Sequence, residues 1–221
     1  MHRSMKLGIF AMFAVAALVV SAAAAPAPMI SMGVVVEANN ATLNASPVAN
    51  LATISNGDTL STGNAGALRA RVGSSQIYLF PNSNVSLGQT LSGFSADLSG
   101  GSVLLSSNVG EAFEVLSDGA VVRSAPNQKN VAQISWVSPS ELLLTSRLGN
   151  LEVTMGDETR TVNQGASYRM MIAPASQPAG AAAMHASGAG SGTFVLVAVG
   201  IVAAGTGVAL WRAFESTNST N

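Results

Sequence analysis

Hydrophobic positions along the chain fall into two arrangements, unbroken runs near the two ends and alternation between them. The alternation comes in short stretches. Leu68, Ala70 and Val72 face one way while Arg69 and Arg71 face the other; Leu151, Val153 and Met155 oppose Glu152 and Thr154; Phe113 and Val115 oppose Ala112 and Glu114. A period of two puts one side of a strand on a core and the other in water. Gln76–Phe80 is apolar on both faces, Ile77 and Leu79 against Tyr78 and Phe80, which predicts a central strand.

Turn-forming clusters punctuate these stretches: Asn39-Asn40, Ser55–Asp58, Gly63–Gly66, Gly73–Ser75, Pro81–Asn84, Ser99–Gly101, Ser117–Gly119, Pro126–Gln128, Gly149-Asn150, Gly156-Asp157 and Asn163–Gly165. From Ser55 on, most lie about eight to twelve residues apart, the spacing of an all-β sandwich, barrel or β-helix. No stretch of residues 31–172 sustains a helical period for more than a turn or two. The sequence therefore predicts one all-β domain over 31–172, large enough for its own core.

The two runs read differently. Arg3 and Lys6 precede Leu7–Val20, where 13 of 14 residues are apolar, and small residues follow up to Pro26. A positive start, a short apolar stretch and a small-residue site make a secretory signal peptide, residues 1–24, with cleavage after Ala24. An uncleaved anchor is the alternative, but 14 apolar residues fall short of the roughly 20 that span a bilayer. Thr193–Trp211 has that length and no charge, which predicts a transmembrane helix at 193–211. Trp211 suits the headgroup region, and Arg212 favours a cytoplasmic tail at 212–221. Gly200, Ala203, Ala204 and Gly207 give small-xxx-small spacings compatible with close helix approach. Between domain and helix, 17 of the 20 residues of 173–192 are Ala, Gly, Pro or Ser, a linker composition.

Composition changes the picture in one respect. The 221 residues are 48% hydrophobic and only 10% charged, with no cysteine and a net charge of −1. The end runs account for the excess of hydrophobicity but not for the low charge, because the domain's surface is written in Ser, Thr, Asn and Gln. The balance of charge leaves no surplus for gripping nucleic acid. Without cysteine there is no disulfide or thiolate chemistry. Of the two histidines, His2 lies in the predicted signal and His185 in the linker, so the domain has none for a catalytic triad or a histidine metal site.

The remaining catalytic candidates are few. Lys129, the domain's one lysine, sits in the loop Pro126–Asn130, where solvation is expected and a nucleophilic role is not. Glu111/Glu114 and Asp157/Glu158 could in principle serve glycoside hydrolysis, but solvated surface acids explain them better. No nucleophile elbow, phosphate loop or Asp-x-Asp-x-Asp run occurs. These absences predict no enzyme activity, no cofactor and no metal. Asn40, Asn44, Asn84 and Asn218 head Asn-x-Ser/Thr triplets, which accept glycans only in a eukaryotic secretory path. Arg69, Arg71, Arg123, Arg147, Arg160 and Arg169 are scattered along the chain. Arg69 and Arg71 share one face and could bind an anionic polymer, although a solvated face that discourages edge pairing is the more ordinary explanation.

A set of these pieces resembles the FecR domain. They are Gly57–Thr62, Ala67–Ser74 and Ile77–Leu87, followed by Leu98–Val103, Phe113–Val115, Gly149–Val153 and Val162–Gly165. The resemblance spans residues 31–172; each piece is a generic strand and turn, while their order and spacing are specific. It implies an extracytoplasmic β domain, β-helix-like or jelly-roll-like, in a bacterial cell envelope. Signalling members of the family relay an outer-membrane cue to a cytoplasmic domain that controls a sigma factor. Six residues before the first apolar run and ten after Trp211 leave no room for such a domain here. The expectation is a membrane-tethered, non-catalytic domain, outside the cytoplasmic membrane, that binds an envelope protein or polysaccharide. The alternative is an accessory of envelope signalling acting through a partner membrane protein.

Overall fold

The computed structural model describes residues 31–172, all of it strand, turn or irregular. The predicted signal peptide (1–24), linker (173–192), membrane helix (193–211) and tail (212–221) lie outside the described residues. Among the described residues no helix is long and apolar enough to cross a membrane.

Two long strands, β1 (Ser31–Leu43) and β4 (Thr59–Val72), form an antiparallel ribbon, with the short strands β2 (Ser46–Pro47) and β3 (Thr53–Ser55) added to β1. From the other edge of β4 two wings depart. One leaves the amino-terminal end of β4 through β6 (Asn84–Thr90) and continues through β7 (Gly93–Gly100), β9 (Ala112–Ser117), β10 (Ala120–Ser124), β13 (Leu151–Met155) and β14 (Glu158–Val162). The second leaves the carboxy-terminal end through β5 (Ser75–Leu79), then β8 (Ser102–Ser107), β11 (Asn130–Ser138), β12 (Glu141–Leu148) and β15 (Ser167–Met171). All pairings are antiparallel except β7 with β9. These two run parallel because β8, the strand between them in sequence, lies in the opposite wing.

The wings fold over one another because β4 bends. Asn39 pairs with Ala67, and Ala41 with Thr62, so Asn40 on β1 stands opposite the four residues Gly63–Gly66 on β4. Such a bulge turns a strand sharply, and positive φ at Asn40 (45°) and Ala65 (57°) accommodates it. Space requires the glycine at Gly66, where backbone crowds the position, while at Gly63 only the Asn40 side chain stands in the way. A Cβ on Gly66 would stand 2.5 Å from the Asn40 carbonyl oxygen, and one on Gly63 would stand 2.6 Å from Asn40 Nδ2. The Asn40 amide donates to the Asn64 carbonyl at 2.8 Å, closing the corner. The sequence predicts chain reversals at Asn39-Asn40 and Gly63–Gly66; both instead lie inside paired strands, because β1 and β4 resume pairing beyond the bulge.

The connection from β5 to β6 docks on this corner through Thr62 and Ser83, both buried. Thr62 Oγ1 donates to the Phe80 carbonyl at 2.5 Å and accepts from Ser83 N at 3.0 Å. Ser83 Oγ in turn donates to the Ser102 carbonyl and accepts from Ser102 N, at 2.9 and 2.8 Å. Far from the corner, β14 and β15 come near each other without pairing, and Tyr168 feels the charges of Arg160 and Glu158. The result is a nearly closed, barrel-like sheet around one hydrophobic core. That core takes Leu60, Val85, Phe94, Phe113, Val122 and Val153 from the first side, and Leu68, Ile77, Leu105, Ile134, Leu144 and Met170 from the second. Phe94 and Phe113 meet in it at 6.3 Å between ring centres.

The all-β class and the alternation of Leu68/Ala70/Val72 and Leu151/Val153/Met155 agree with the sequence expectation. Gln76–Phe80 is central in the sense of being paired on both edges, with Tyr78 and Phe80 in edge-to-face contact on the outer side. The Gly-Asp pair 57–58 also has a structural reason: the Asp58 carboxylate accepts from Ser55 N and Asn44 Nδ2, both at 2.7 Å, closing the turn into β4.

Overpacking a tight site costs about 1–3 kcal/mol. Gly66→Ala is expected to lose that much in urea unfolding. Gly100→Ala, where an added methyl meets nothing within 4 Å, is expected to stay within ~0.5 kcal/mol of wild type.

Candidate functional site

The outer surface of the second wing follows from the registers. Directly paired residues share a face, so one row runs Glu37–Arg69–Tyr78–Leu104–Gln133–Thr145–Ser167 across β1, β4, β5, β8, β11, β12 and β15. A second runs Arg71–Gln76–Ser106–Val131–Leu148. A third carries Ser135–Leu143–Arg169. Arg147 occupies a bulge in β12, where the register slips between Val131 and Ala132, and its Nη2 donates to Gln133 Oε1 at 2.7 Å. Four arginines therefore share this face: Arg69, Arg71, Arg147 and Arg169.

Two carboxylates oppose them. Glu37 lies 3.6 Å from Arg69, and Glu141 lies 2.8 Å from Arg169. Arg147 has only the neutral Gln133 amide, and Arg71 has no ion pair or hydrogen bond among the described residues. The Nε groups of Arg69, Arg147 and Arg169 are buried and have no hydrogen-bond partner among the described residues. Burial of a guanidinium without an anion works against its charge, and it lowers the pKa of Arg147 from its ordinary value. Burial, with the nearby Glu37 charge, raises the Tyr78 phenol, which stays neutral and able to donate.

The outer face of the first wing has the opposite sign. Its rows place Asp97, Glu114 and Glu152 outward against Arg123 alone, which pairs with Glu114 at 2.9 Å. A cleft of about 560 Å³ at one end of the barrel is lined by Asp97, Asp118, Trp136 and Val137. The Trp136 indole is fixed there by donation to the Leu98 carbonyl at 3.1 Å. Its two carboxylates make this cleft unsuited to an anion, whereas the arginine face is suited to one.

The acids singled out in the sequence are held by structural contacts. Glu111 accepts from Ser74 N at 3.1 Å and Ser75 Oγ at 2.6 Å, so it latches the β4–β5 turn of one wing to the start of β9 in the other. Burial alone would raise its pKa, but the hydrogen bonds from Ser75 and Ser74 outweigh burial and hold the carboxyl below its ordinary value. Glu114 is engaged by Arg123 and Glu158 by Arg160, so neither pair presents two free carboxylates to a common point. Lys129 is in the loop before β11, next to Asn130. That buried amide donates to the carbonyls of Ala125 and Gln128, at 2.7 and 2.9 Å. Asn44 and Asn84 serve the fold through bonds to Thr59 N and Ser61 Oγ, as Asn40 does at the corner; Asn218 lies outside the described residues. Among the described residues no three His, Cys, Asp or Glu side chains group as metal ligands do.

Of the arginine face, only Arg69 and Arg71 are legible as neighbours in the sequence. Arg147 and Arg169 each alternate with buried residues, Ser146 and Tyr168/Met170, which is a signal that they point outward. Which strands lie beside which is set by the wings, so their convergence is not visible locally.

No family model matches the chain, and no curated protein matches it. Two crystal structures of a candidate anti-sigma factor from Parabacteroides distasonis ATCC 8503 resemble it, with TM-scores of 0.44 and 0.45 and 11% sequence identity in each case. The match covers 51% of this chain and 54% of those chains, about half the length of each.

The Glu111 latch makes a pH-dependent prediction. A carboxylate whose pKa is depressed by folding adds stability above its unfolded value, near 4.5, and that contribution is lost as the pH falls through the lower folded value. Glu111→Gln should be less stable than wild type at pH 7, by less than about 1 kcal/mol because the carboxylate is partly solvated. The difference should shrink as unfolding curves are recorded at pH values descending below 4.5.

Proposed function

We propose that this chain is a non-catalytic, FecR-like binding module of the bacterial cell envelope. In this reading, residues 1–24 direct export and 193–211 tether the domain to the cytoplasmic membrane. Residues 173–192 hold it off the bilayer on the extracytoplasmic side. The observation that carries the binding role is the arginine face, where four guanidinium groups meet two carboxylates on a sheet surface. The excess falls on exposed Arg71 and on partly buried Arg147, whose uncompensated charge is costly to an isolated protein and is relieved by an anionic partner. The structural engagement of Glu111, Glu114 and Glu158 supports a role without catalysis.

The second reading, an accessory of envelope signalling, is favoured by the order of the FecR-like pieces between Gly57 and Gly165. In it, the same face engages a partner membrane protein. A gene neighbourhood with a sigma factor and its regulator favours this version; neighbouring polysaccharide-export genes favour a saccharide partner.

The placement is tested on the full-length chain in a bacterial host, with a reporter fused after Asn221. A reporter active in the cytoplasm, together with digestion of the β domain by protease added to spheroplasts, is the expected result. A reporter active only outside the cytoplasm, or a β domain protected from protease, contradicts the proposal.

A further inference from the structure

Resting on the reading of the arginine face as a partner surface, we infer that its ligand is a linear anionic polysaccharide laid across the strands of the second wing. Three features of the face select that chemistry.

The first is extent. Five ladder steps separate β4, which carries Arg69 and Arg71, from β15, which carries Arg169. At about 4.8 Å a step this is roughly 24 Å along the sheet. A single small anion reaches one or two of these groups, whereas a chain of charged units reaches all of them. The arginines also stand on neighbouring rows, so the line from Arg71 through Arg147 to Arg169 crosses the strands and does not follow one.

The second is the lining between the charges. Gln76, Tyr78, Ser106, Gln133, Ser135 and Thr145 occupy the outer rows between β4 and β12. Amides and hydroxyls both donate and accept, which matches the hydroxyls and ring oxygens of a sugar backbone. Protein partners are held by apolar and aromatic anchors in desolvated pockets. Leu104 and Val131, at the centre of this face, are only 2% and 3% exposed, and the more open apolar side chains Leu143, Leu148 and Met171 lie toward its β12 and β15 edge.

The third is the unfilled donor capacity. Arg71 is exposed and unengaged among the described residues, and Arg147 pairs with no carboxylate, its Nη2 donating only to the neutral Gln133 amide. Carboxylate or sulfate oxygens supply acceptors of the right charge, and guanidinium forks take them in bidentate fashion. The opposite wing, with Asp97, Glu114 and Glu152 outward, repels the same polymer and leaves it one face to occupy.

The test uses the full-length chain in neutral detergent, with alginate as the linear polyuronate probe. Neutral dextran, free glucuronate and poly-glutamate serve as comparisons. Alginate should bind, weakening steeply with added salt; dextran should not bind, and glucuronate should bind far more weakly than the polymer. Arg71→Gln with Arg147→Gln should weaken alginate binding by about tenfold or more, as expected for loss of two charge-assisted contacts. The double Lys variant should recover part of it, and circular dichroism should show both variants folded. Glucuronate binding as tightly as alginate overturns the inference in favour of a small-anion site. Preference for poly-glutamate that is lost in the double Gln variant overturns it in favour of an acidic protein, and leaves the partner-face reading standing. Alginate binding unaffected by the double Gln variant, or no binding of either polyanion, overturns the inference; in the former case the arginine face fails as well.

Discussion

Everything in this fold hangs on the bend in one strand. Between Leu60 and Leu68, β4 must keep its pairing with β1 and yet turn far enough to send two wings in different directions. Four residues opposite the single Asn40 achieve this, and they fit because Gly66 lacks the side chain that would meet the Asn40 carbonyl. A straight β4 would give one wide, flat sheet with two solvent-facing surfaces and no enclosed core, an arrangement prone to edge and face aggregation. The bend turns those inner faces toward each other, so Phe94 and Phe113 of one wing share a core with Ile77 and Ile134 of the other.

The same bend explains the way polar groups are used. The chain crosses between wings repeatedly, and each crossing brings backbone groups to places where no ladder partner exists. Side chains with short reach satisfy them: Thr62 and Ser83 at the corner, Ser124 on Phe113 N at 2.8 Å, and Asn130 beneath the loop before β11. This accounts for the buried Thr62, Ser83, Ser124 and Asn130 at the crossings. With no cysteine available to staple the wings, latches such as Glu111 to Ser74 and Ser75 tie them together noncovalently.

How much of this could be read from the residues differs by scale. Class, strand alternation and most turns are local properties, and Leu68/Ala70/Val72 or Leu151/Val153/Met155 declare them plainly. Gly63–Gly66 misleads because a glycine-rich turn and a glycine-rich strand corner have the same composition; only the resumed pairing of Thr62 with Ala41 distinguishes them. The candidate site suffers from the same limit. Arg69 and Arg71 are two apart on one strand, and so their common face is fixed by the period of a strand. Arg147 and Arg169 join them through the order β5, β8, β11, β12, β15, a consequence of long-range pairing that no window of sequence contains.

Function here turns on whether these arginines act as one anion-receiving surface. The most direct measurement follows the Nε–Hε resonances of individual arginines by NMR while an alginate hexamer is titrated into the protein. Arg71 and Arg147, which have no carboxylate partner among the described residues, are expected to shift together with a common midpoint, while Arg123 and Arg160, already paired with Glu114 and Glu158, stay in place. Equal shifts at Arg123 and Arg160, or shifts confined to the Trp136 cleft, would contradict it.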